Sequence, residues 1–412
     1  MREIRKLDRT QLREALSIAS KAYPMIGINT EQQLNDFETR IAEDFEQEAR
    51  TWYGLFEDEK LLGNMVLYDF VTNYYGKDIK ARGIGFVAVD FLHKKQKIAK
   101  EMLTWYLNDS LKQKYPLAIL YSFRPDFYKQ MGYGYGTYCF NYVTAPECFP
   151  KAASKYQMEY LTLADKDAVI AFYKSLYKRY HGMIPKKDKD VEMLFKAPGV
   201  NVVGYKEKGR LTALLTFRLK ADESTQQSTH MNLDLLYTTP TGLKAAMNFL
   251  NSQSDQLAEI TFSTLFRDFF FNLTDIRHND HKILKDPGFH HIHDTGMGMM
   301  YRSLNPVELV LARPCTLDNL RIRFILNDDF MNNTTKDFII GWKAGVAKQS
   351  KGKKADIELK FDVSDFSSWV MNAIDLTTLH QNGLLQISDE TYLAVLDLAF
   401  YYQQKPICLE RF

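Results

Sequence analysis

Two stretches of the chain share one order of hydrophobic and polar positions. Each begins with a segment whose apolar residues recur at helical spacing: Leu12, Leu16 and Ala19 in the first copy, and Ile170, Tyr173 and Tyr177 in the second. Each continues with two apolar runs around a charged turn, over residues 52–70 and 202–219, which predicts a β-hairpin. The repeat predicts two copies of one domain that combines helices and strands.

Both copies then pass from a strand to a helix and on to another strand. In the first copy, the uninterrupted apolar run Ile84–Val89 is typical of a strand buried on both faces. Ile98, Met102 and Trp105 place an apolar face on the helix that follows. The remaining predicted elements are a strand over 117–121 in the first copy and, in the second, a strand over 233–237, a helix over 242–250 and a strand over 259–265.

The pattern changes after about residue 295. Residues 320–326 and 357–361 alternate like half-exposed strands, with a lysine-rich loop over 343–354 between them. Ser388 is expected to cap a final helix whose apolar face carries Leu393, Leu396 and Phe400. We therefore predict a mixed α/β, or α+β, fold with domains over 1–145, 146–295 and 296–412.

Composition and charge exclude several classes of protein. Of the 412 residues, 53 are basic and 51 acidic, so the net charge of +2 creates no field that favours nucleic acid. No apolar stretch is long enough to span a membrane, and the N-terminus is charged where a signal peptide would be apolar. The four cysteines are scattered without metal-ligand spacing. We predict a cytoplasmic protein without nucleic-acid or membrane partners.

A basic segment follows the buried strand of the first copy. Lys94, Lys95, Lys97 and Lys100 lie where a helix is expected to begin. Helix N-termini carry unpaired backbone N–H groups and a partial positive charge, so they suit a pyrophosphate. The alternative is a solvated basic surface.

A second candidate is the aromatic segment from Tyr121 to Tyr135. It follows a predicted strand, and its Gly-Tyr-Gly-Tyr portion marks a tight bend. A tyrosine on such a loop can donate a proton to a leaving group. The alternative is ordinary aromatic packing.

These motifs together resemble the GCN5-related N-acetyltransferase (GNAT) family. The family's phosphate-binding pattern, basic or Gln, two residues, Gly, one residue, Gly or Ala, falls on Lys94, Lys97 and Ala99. Its Tyr-x-x-x-Gly-Phe/Tyr element falls on Tyr128, Gly132 and Tyr133. Two such copies, followed by an α+β domain and a terminal phenylalanine, resemble the enhanced intracellular survival acetyltransferases over nearly the whole chain. Lys97 stands where the family pattern has glycine.

The resemblance implies direct acetyl transfer from acetyl-CoA to a primary amine of a polyamine or aminoglycoside-like acceptor, without a metal. It implies an active first copy, a degenerate second copy, a third domain similar to sterol carrier protein type 2, and a homohexamer. Tyr128 would be the general acid and the C-terminal carboxylate of Phe412 the general base. The coenzyme would bind at Val87, Ala88, Val89, Lys94, Lys95, Gln96, Lys97, Ile98, Ala99 and Lys100.

Three further interpretations stay open at this point. Lys97 would spoil the coenzyme site if its side chain crowds the phosphates, which would leave a non-catalytic ligand-binding protein. A metal hydrolase would use the histidine-rich segment with His278, His281, His290, His291 and His293 beside Asp280, Asp286 and Asp294, although a surface connector is the simpler interpretation. The acidic helix expected over 31–49 would attract a cationic amine or form a solvated face.

Overall fold

The structure, a computed structural model, describes residues 1–45, 50–152, 156–221, 228–278, 288–331, 334–410 and 412. The strands, in chain order, are β1 (Arg2–Lys6), β2 (Arg50–Glu57), β3 (Lys60–Tyr74), β4 (Lys77–Val89), β5 (Leu117–Tyr121), β6 (Gly134–Tyr135), β7 (Tyr138–Thr144), β8 (Glu159–Tyr160), β9 (Asn201–Glu207), β10 (Arg210–Ala221), β11 (Ser228–Tyr237), β12 (Glu259–Thr264), β13 (Asp294–Met297), β14 (Met299–Ser303), β15 (Leu320–Asp328), β16 (Thr334–Lys343), β17 (Val346–Ser350), β18 (Ile357–Asp362) and β19 (Leu385–Ile387). The helices are α1 (Leu12–Ala22), α2 (Glu31–Phe45), α3 (Ile98–Lys112), α4 (Pro125–Lys129), α5 (Lys166–Arg179), α6 (Asp188–Lys196), α7 (Pro240–Asn251), α8 (Pro306–Ala312), α9 (Val363–Val370), α10 (Leu376–Gln381) and α11 (Leu393–Ala399).

The described residues form two compact units. The first contains Met1–Gly136, Met299–Pro406 and Phe412, and the second contains Thr137–Gly298 and Ile407–Glu410. Within the described ranges, no helix combines the length and the apolar character that crossing a membrane would require.

The larger sheet of the first unit has the order β1-β2-β3-β4-β5-β14-β6. Antiparallel hairpins build its first half, and β4 and β5 form its parallel pair. The predicted hairpin of β2 and β3 turns at Asp58 and Glu59, which both have positive φ, of 49° and 64°. Two residues with positive φ are the geometry of a type I′ turn, which matches the twist of the strands.

The smaller sheet of the first unit has the order β17-β16-β15-β18-β19. Every residue of α9 is buried, and its Trp369 packs between the rings of Phe324, Phe361 and Phe400 at centroid distances of 5.8, 5.9 and 5.2 Å. The predicted strands over 320–326 and 357–361 are present as β15 and β18. This part of the chain is the predicted C-terminal α+β domain.

Two sequence expectations for this region are wrong in detail. The lysine-rich segment over 343–354 is not wholly a loop, because β17 pairs with β16 there. The last helical segment is capped by Asp389, whose carboxylate accepts the Thr391 N–H at 3.0 Å. Ser388 is engaged elsewhere, since its hydroxyl accepts the backbone N–H of Glu358 at 2.9 Å.

The sheet of the second unit repeats the order of the first. From β8 it runs β8-β9-β10-β11-β12-β7-β13, and β11 and β12 form the parallel pair in the position that β4 and β5 occupy in the first unit. Phe262, Tyr142 and Leu215 belong to its buried core. The predicted repeat is therefore confirmed as two sheets of one topology.

Strand membership crosses the linear boundaries placed at residues 145 and 295. β7 precedes residue 145 but belongs to the sheet of the second unit, where it pairs with β12 and β13. β14 follows residue 295 but lies between β5 and β6 in the first unit. The division of the chain into domains over 1–145, 146–295 and 296–412 stays a prediction.

Candidate active site

A bulge bends β4 where the first copy's site is expected. The pairing of β3 with β4 shifts between Asn64–Ala88 and Val66–Gly85, and Phe86 has a φ of 48°. The side-chain amide of Asn64 donates to the Phe86 carbonyl at 3.1 Å, and the Tyr23 hydroxyl donates to the Val87 carbonyl at 2.9 Å. The bulge removes these carbonyls from the hydrogen bonds between strands, and the two side chains satisfy them instead. The bend is therefore stabilised by specific side-chain hydrogen bonds.

Beside the bulge, β4 and β5 part. Their parallel pairing ends at Gly83 and Ile119, although β4 continues to Val89 and β5 to Tyr121. A gap between parallel strands leaves backbone groups facing a space in which an extended ligand can lie. The predicted residues Val87, Ala88 and Val89 are the last three residues of β4, beyond this point of separation.

The ring of Phe412 packs against β3, β4 and β5 near this gap. Its centroid lies 5.0 Å from that of Tyr68, 4.8 Å from Phe70 and 5.7 Å from Tyr121. Gly83 and Gly85 leave the room it needs: a Cβ at Gly83 would lie 3.0 Å from the Phe412 ring, and one at Gly85 would lie 3.6 Å from its carboxyl carbon. The terminal carboxyl group therefore lies over Gly85, next to the bulge.

Tyr128 lies on the short helix α4 and is 7% exposed. Its ring packs against Phe127 and Tyr133 at centroid distances of 5.2 and 5.9 Å. Burial raises the pKa of Tyr128 to about 12, so its hydroxyl is neutral and carries its proton at pH 7.

Two further tyrosines lie near Tyr128. Burial raises the pKa of Tyr23 well above its usual value, and the neighbouring hydroxyls of Tyr128 and then Tyr68 add to this rise. Because Tyr23 also holds the Val87 carbonyl, it connects the bulge of β4 with Tyr128. Three tyrosine hydroxyls thus face one region of the first unit.

A buried ion pair supports the loop that follows Tyr128. Arg302 of β14 and Asp328 of β15 are each 1% exposed at the side chain, with nitrogen–oxygen distances of 2.6 and 2.8 Å. Arg302 also donates to the Met131 carbonyl. Gly132, with a φ of 80°, has no space for a Cβ beside the Arg302 guanidinium. The glycine of the Tyr-x-x-x-Gly element is therefore required by this packing.

The basic segment lines a cavity of about 700 Å³. Lys94, Lys95, Lys97 and Lys100 contribute to its wall, together with Phe127 on the Tyr128 side and Asp329 and Phe330 beyond β15. The amino group of Lys100 lies 5.7 Å from the centre of the Phe330 ring. The cavity thus combines the four lysines and Arg124 with the rings of Phe127 and Phe330, which suits a phosphate-bearing nucleotide.

Helix α3 begins at Ile98, after Lys94, Lys95 and Lys97 and before Lys100. Lys95 and Lys97 precede it with φ values of 66° and 63°, and Lys97 is the residue at the helix N-cap. This left-handed conformation is the one that glycine adopts without strain. The backbone at Lys97 therefore has a conformation that a glycine would adopt there without strain.

The structure brings most of the predicted coenzyme residues together. Val89, Ile98 and Ala99 line the same cavity as the four lysines, whereas Val87 and Ala88 do not line it. The side chain and carbonyl of Gln96 are held by Arg2 at 3.1 and 3.2 Å. Sequence reasoning missed Tyr23, Tyr68, Asp329 and Phe330, because they come from distant segments that carry no local motif.

The acidic helix expected over 31–49 is partly described, as α2 over Glu31–Phe45. Glu46 and Glu48 lie outside the described residues, as do the side chains of Glu43 and Asp44. Glu38 is paired with Arg13 at 2.6 Å. The charge of the Glu38 carboxylate is therefore balanced by Arg13.

The second copy has a different surface at the start of the corresponding helix, α7. The Thr239 hydroxyl accepts the Gly242 N–H at 3.0 Å and donates to the Glu207 carboxylate at 2.9 Å. A Cβ at Gly242 would lie 2.5 Å from the Thr212 carbonyl oxygen. A capped helix that packs this closely and has a carboxylate beside it is a poor site for a phosphate.

The histidine-rich segment is only partly described. His281, Asp280 and Asp286 lie outside the described residues. His293 packs on the rings of Phe140 and Tyr142, and His290 is exposed. His278 and His291 converge with Asp294 in the second unit.

The sequence matches two domain families. Residues 3–136 match the acetyltransferase (GNAT) domain and residues 307–409 match the sterol carrier protein domain. Residues 3–136 are thus a GNAT domain, and the protein is an acetyltransferase. No protein of curated function matches the sequence.

Solved structures share the fold over the whole chain. Eis1 from Mycobacterium abscessus is 16% identical with a TM-score of 0.77, and a GCN5-related N-acetyltransferase from Anabaena variabilis is 15% identical with a TM-score of 0.81. A probable N-acyltransferase from Enterococcus faecalis is 18% identical with a TM-score of 0.79. Each match covers 100% of both chains. The predicted resemblance to the enhanced intracellular survival acetyltransferases is confirmed at the level of the fold.

Proposed function

We propose that the protein transfers the acetyl group of acetyl-CoA directly to a primary amine, of a polyamine or an aminoglycoside-like acceptor. The observation that carries this proposal is the position of the Phe412 carboxyl carbon over Gly85, beside the bulge where β4 separates from β5. A carboxylate at this position is a suitable base for an amine that approaches the end of β4.

We assign the coenzyme to the gap and the basic cavity. The pantetheine arm lies along the backbone of Val87, Ala88 and Val89, where peptide N–H groups polarise the thioester carbonyl. The pyrophosphate binds among the four lysines at the start of α3. Phe330 offers its ring to the nucleotide end of the coenzyme.

The reaction balances with two protein groups. The acceptor ammonium gives one proton to the Phe412 carboxylate, directly or through water, and the neutral amine attacks the thioester carbonyl carbon. A carbon–nitrogen bond forms, the carbon–sulfur bond breaks, and the Tyr128 hydroxyl protonates the departing thiolate. The amide nitrogen loses its remaining extra proton, which returns to Tyr128 directly or through water, and Phe412 passes its proton to solvent, so both groups regain their starting states. Holding both reactants in line supplies much of the rate, so the step requires no covalent enzyme intermediate and no metal.

The backbone at Lys97 favours this enzyme over a non-catalytic binding protein. A lysine in the left-handed region costs about 1–2 kcal/mol relative to a helical conformation. The retention of that conformation at the helix N-cap indicates a loop that is still shaped for close approach of a phosphate. Lys97 can then add its own charge to the site.

An acetyl-CoA consumption assay over a panel of amines tests the proposal. We expect coenzyme consumption with polyamines or aminoglycosides, and none with acceptors that lack a primary amine. Binding of acetyl-CoA without consumption by any amine would favour the binding protein instead. The homohexamer and the cytoplasmic location stay predictions, for which sedimentation and cell fractionation are the measurements.

A further inference from the structure

Two histidines and one aspartate converge at the edge of the second unit's sheet. His278 follows the 3₁₀ turn Arg267–Asn272, and His291 lies three residues before Asp294, the first residue of the edge strand β13. One donor atom from each of the three side chains lies within 4.8 Å of the others. Neither acetyl transfer nor the sheet itself uses this convergence.

The two imidazole rings face the same carboxylate. They stack at a centroid distance of 4.2 Å with an interplanar angle of 26°. The His291 Nε2 lies 3.1 Å from one Asp294 oxygen, and the His278 Nε2 lies 4.0 Å from the other. The backbone N–H of His278 donates to the His291 carbonyl at 2.8 Å, which fixes the spacing of the two segments that carry the histidines.

This spacing is close to what a tetrahedral metal requires. Bonds of about 2.0–2.2 Å to nitrogen and oxygen place the ligand atoms roughly 3.3–3.5 Å apart. Binding one ion requires the two rings to rotate out of their stacked arrangement, so that donors now within 4.8 Å of one another reach that separation. Two imidazoles and one carboxylate suit Zn²⁺, whereas Mg²⁺ and Ca²⁺ prefer ligand sets made of oxygen.

Exposure decides the kind of site. The His278 side chain is 15% exposed, His291 42% and Asp294 64%, so the convergence is open to solvent on one side. We propose that His278, His291 and Asp294 bind one Zn²⁺ ion, with water as the fourth ligand. The ion joins His278 to His291 and Asp294, independently of acetyl transfer.

Isothermal titration of Zn²⁺ into the tag-free, full-length protein tests this site. We expect one equivalent of Zn²⁺ per chain, no heat from Mg²⁺, and a rise in the melting temperature that grows with the Zn²⁺ concentration. His291→Ala and Asp294→Asn, both at exposed positions, should each weaken Zn²⁺ binding at least tenfold and leave acetyl-CoA consumption unchanged. His278→Ala should do the same.

His290→Ala is the matched control, because it removes an exposed histidine adjacent to His291. It should keep the affinity of the unaltered chain. The proposal is overturned if Zn²⁺ does not bind, or if His291→Ala and Asp294→Asn bind it as tightly as the control. Circular dichroism of each variant distinguishes loss of the site from loss of the fold. If His278→Ala misfolds, the results for His291→Ala and Asp294→Asn decide.

Discussion

At the scale of single residues, Tyr128 is a buried hydroxyl that carries its proton at neutral pH. Apolar surroundings disfavour the phenolate, and the pKa of about 12 keeps the hydroxyl a proton donor throughout the physiological range. A thiolate that leaves in this environment gains most from a proton that is already in place. The tyrosine is therefore assigned to the leaving group and not to the amine.

Tyr128→Phe should lower kcat by about 10²–10⁴-fold, because only the donated proton is lost. The acetyl-CoA dissociation constant should change little, since the ring still packs on Phe127 and Tyr133. Steady-state kinetics and a binding titration measure the two effects. Tyr135→Phe, at an exposed position in the following strand β6, is the control and should keep kcat. An unchanged kcat in Tyr128→Phe would remove this residue from the chemistry.

Replacing Lys94 and Lys95 together by alanine should weaken acetyl-CoA binding at least tenfold, because both line the basic cavity. Lys112→Ala combined with Lys114→Ala is the matched control, since it removes the same charge at the other end of α3. Titration calorimetry at fixed ionic strength compares the pairs. Equal affinity in the two double variants would mean that the phosphates bind elsewhere.

The sequence predicted site residues where a local motif carries them and missed those without one. Lys94–Lys100 and Tyr128 each belong to a short sequence pattern. Most residues of the first pattern line one cavity, and Tyr128 lies on the short helix α4. Tyr23 follows the end of α1, and Phe330 follows β15. In the sequence, neither aromatic residue can be distinguished from one that only packs in the core. Tyr23 and Phe330 reach the site through tertiary contacts, which the spacing of residues along the chain does not predict.

At the scale of elements, the account depends on the separation of β4 and β5 and on the loop that carries Tyr128. The Arg302–Asp328 pair fixes that loop through the Met131 carbonyl. Both side chains are withdrawn from water, so each charge depends on the other.

Asp328→Asn should destabilise the first unit by about 3–5 kcal/mol, because it leaves a buried guanidinium without its counter-ion. Asp337→Asn is the control: it breaks the more exposed Arg323–Asp337 pair, at 2.6 Å, and should cost less than about 1 kcal/mol. Urea unfolding followed by circular dichroism measures both. Equal stabilities would show that the buried pair does not hold the loop.

Hydrophobic periodicity predicted the hairpins and the strands of both repeats, but not every element. Helix α9 was missed because Ser364, Ser367 and Ser368 interrupt its apolar pattern. In the structure the Ser367 hydroxyl donates to the Val363 carbonyl at 2.5 Å, which satisfies it inside the core. The crossing of β7 and β14 between the sheets was also missed, since short apolar strands do not reveal their partners.

At the scale of the whole molecule, two sheets share one topology, but the N-termini of the corresponding helices, α3 and α7, have different surroundings. The first has lysines in a cavity, and the second has Thr239 as a cap with Glu207 beside it. An anion is attracted to the first and repelled from the second.

Acetyl-CoA should therefore bind with a stoichiometry of one per chain. Isothermal titration calorimetry measures this number directly, and the Lys94 and Lys95 double variant should weaken binding at the single site without revealing another. Two equivalents per chain would contradict the assignment of a degenerate second copy.

The central claim places the terminal carboxylate of Phe412 at the reacting centre, and one added residue tests it most directly. A single glycine after Phe412 moves the carboxylate by up to roughly 3.3–3.6 Å, beyond direct hydrogen-bond reach of the amine. A glycine added before Met1 is the matched control. We predict that the C-terminal addition lowers kcat at least 100-fold, with acetyl-CoA affinity and melting temperature nearly unchanged, while the N-terminal addition has no effect. Equal kcat values for the two forms would contradict the account and assign the base to another group.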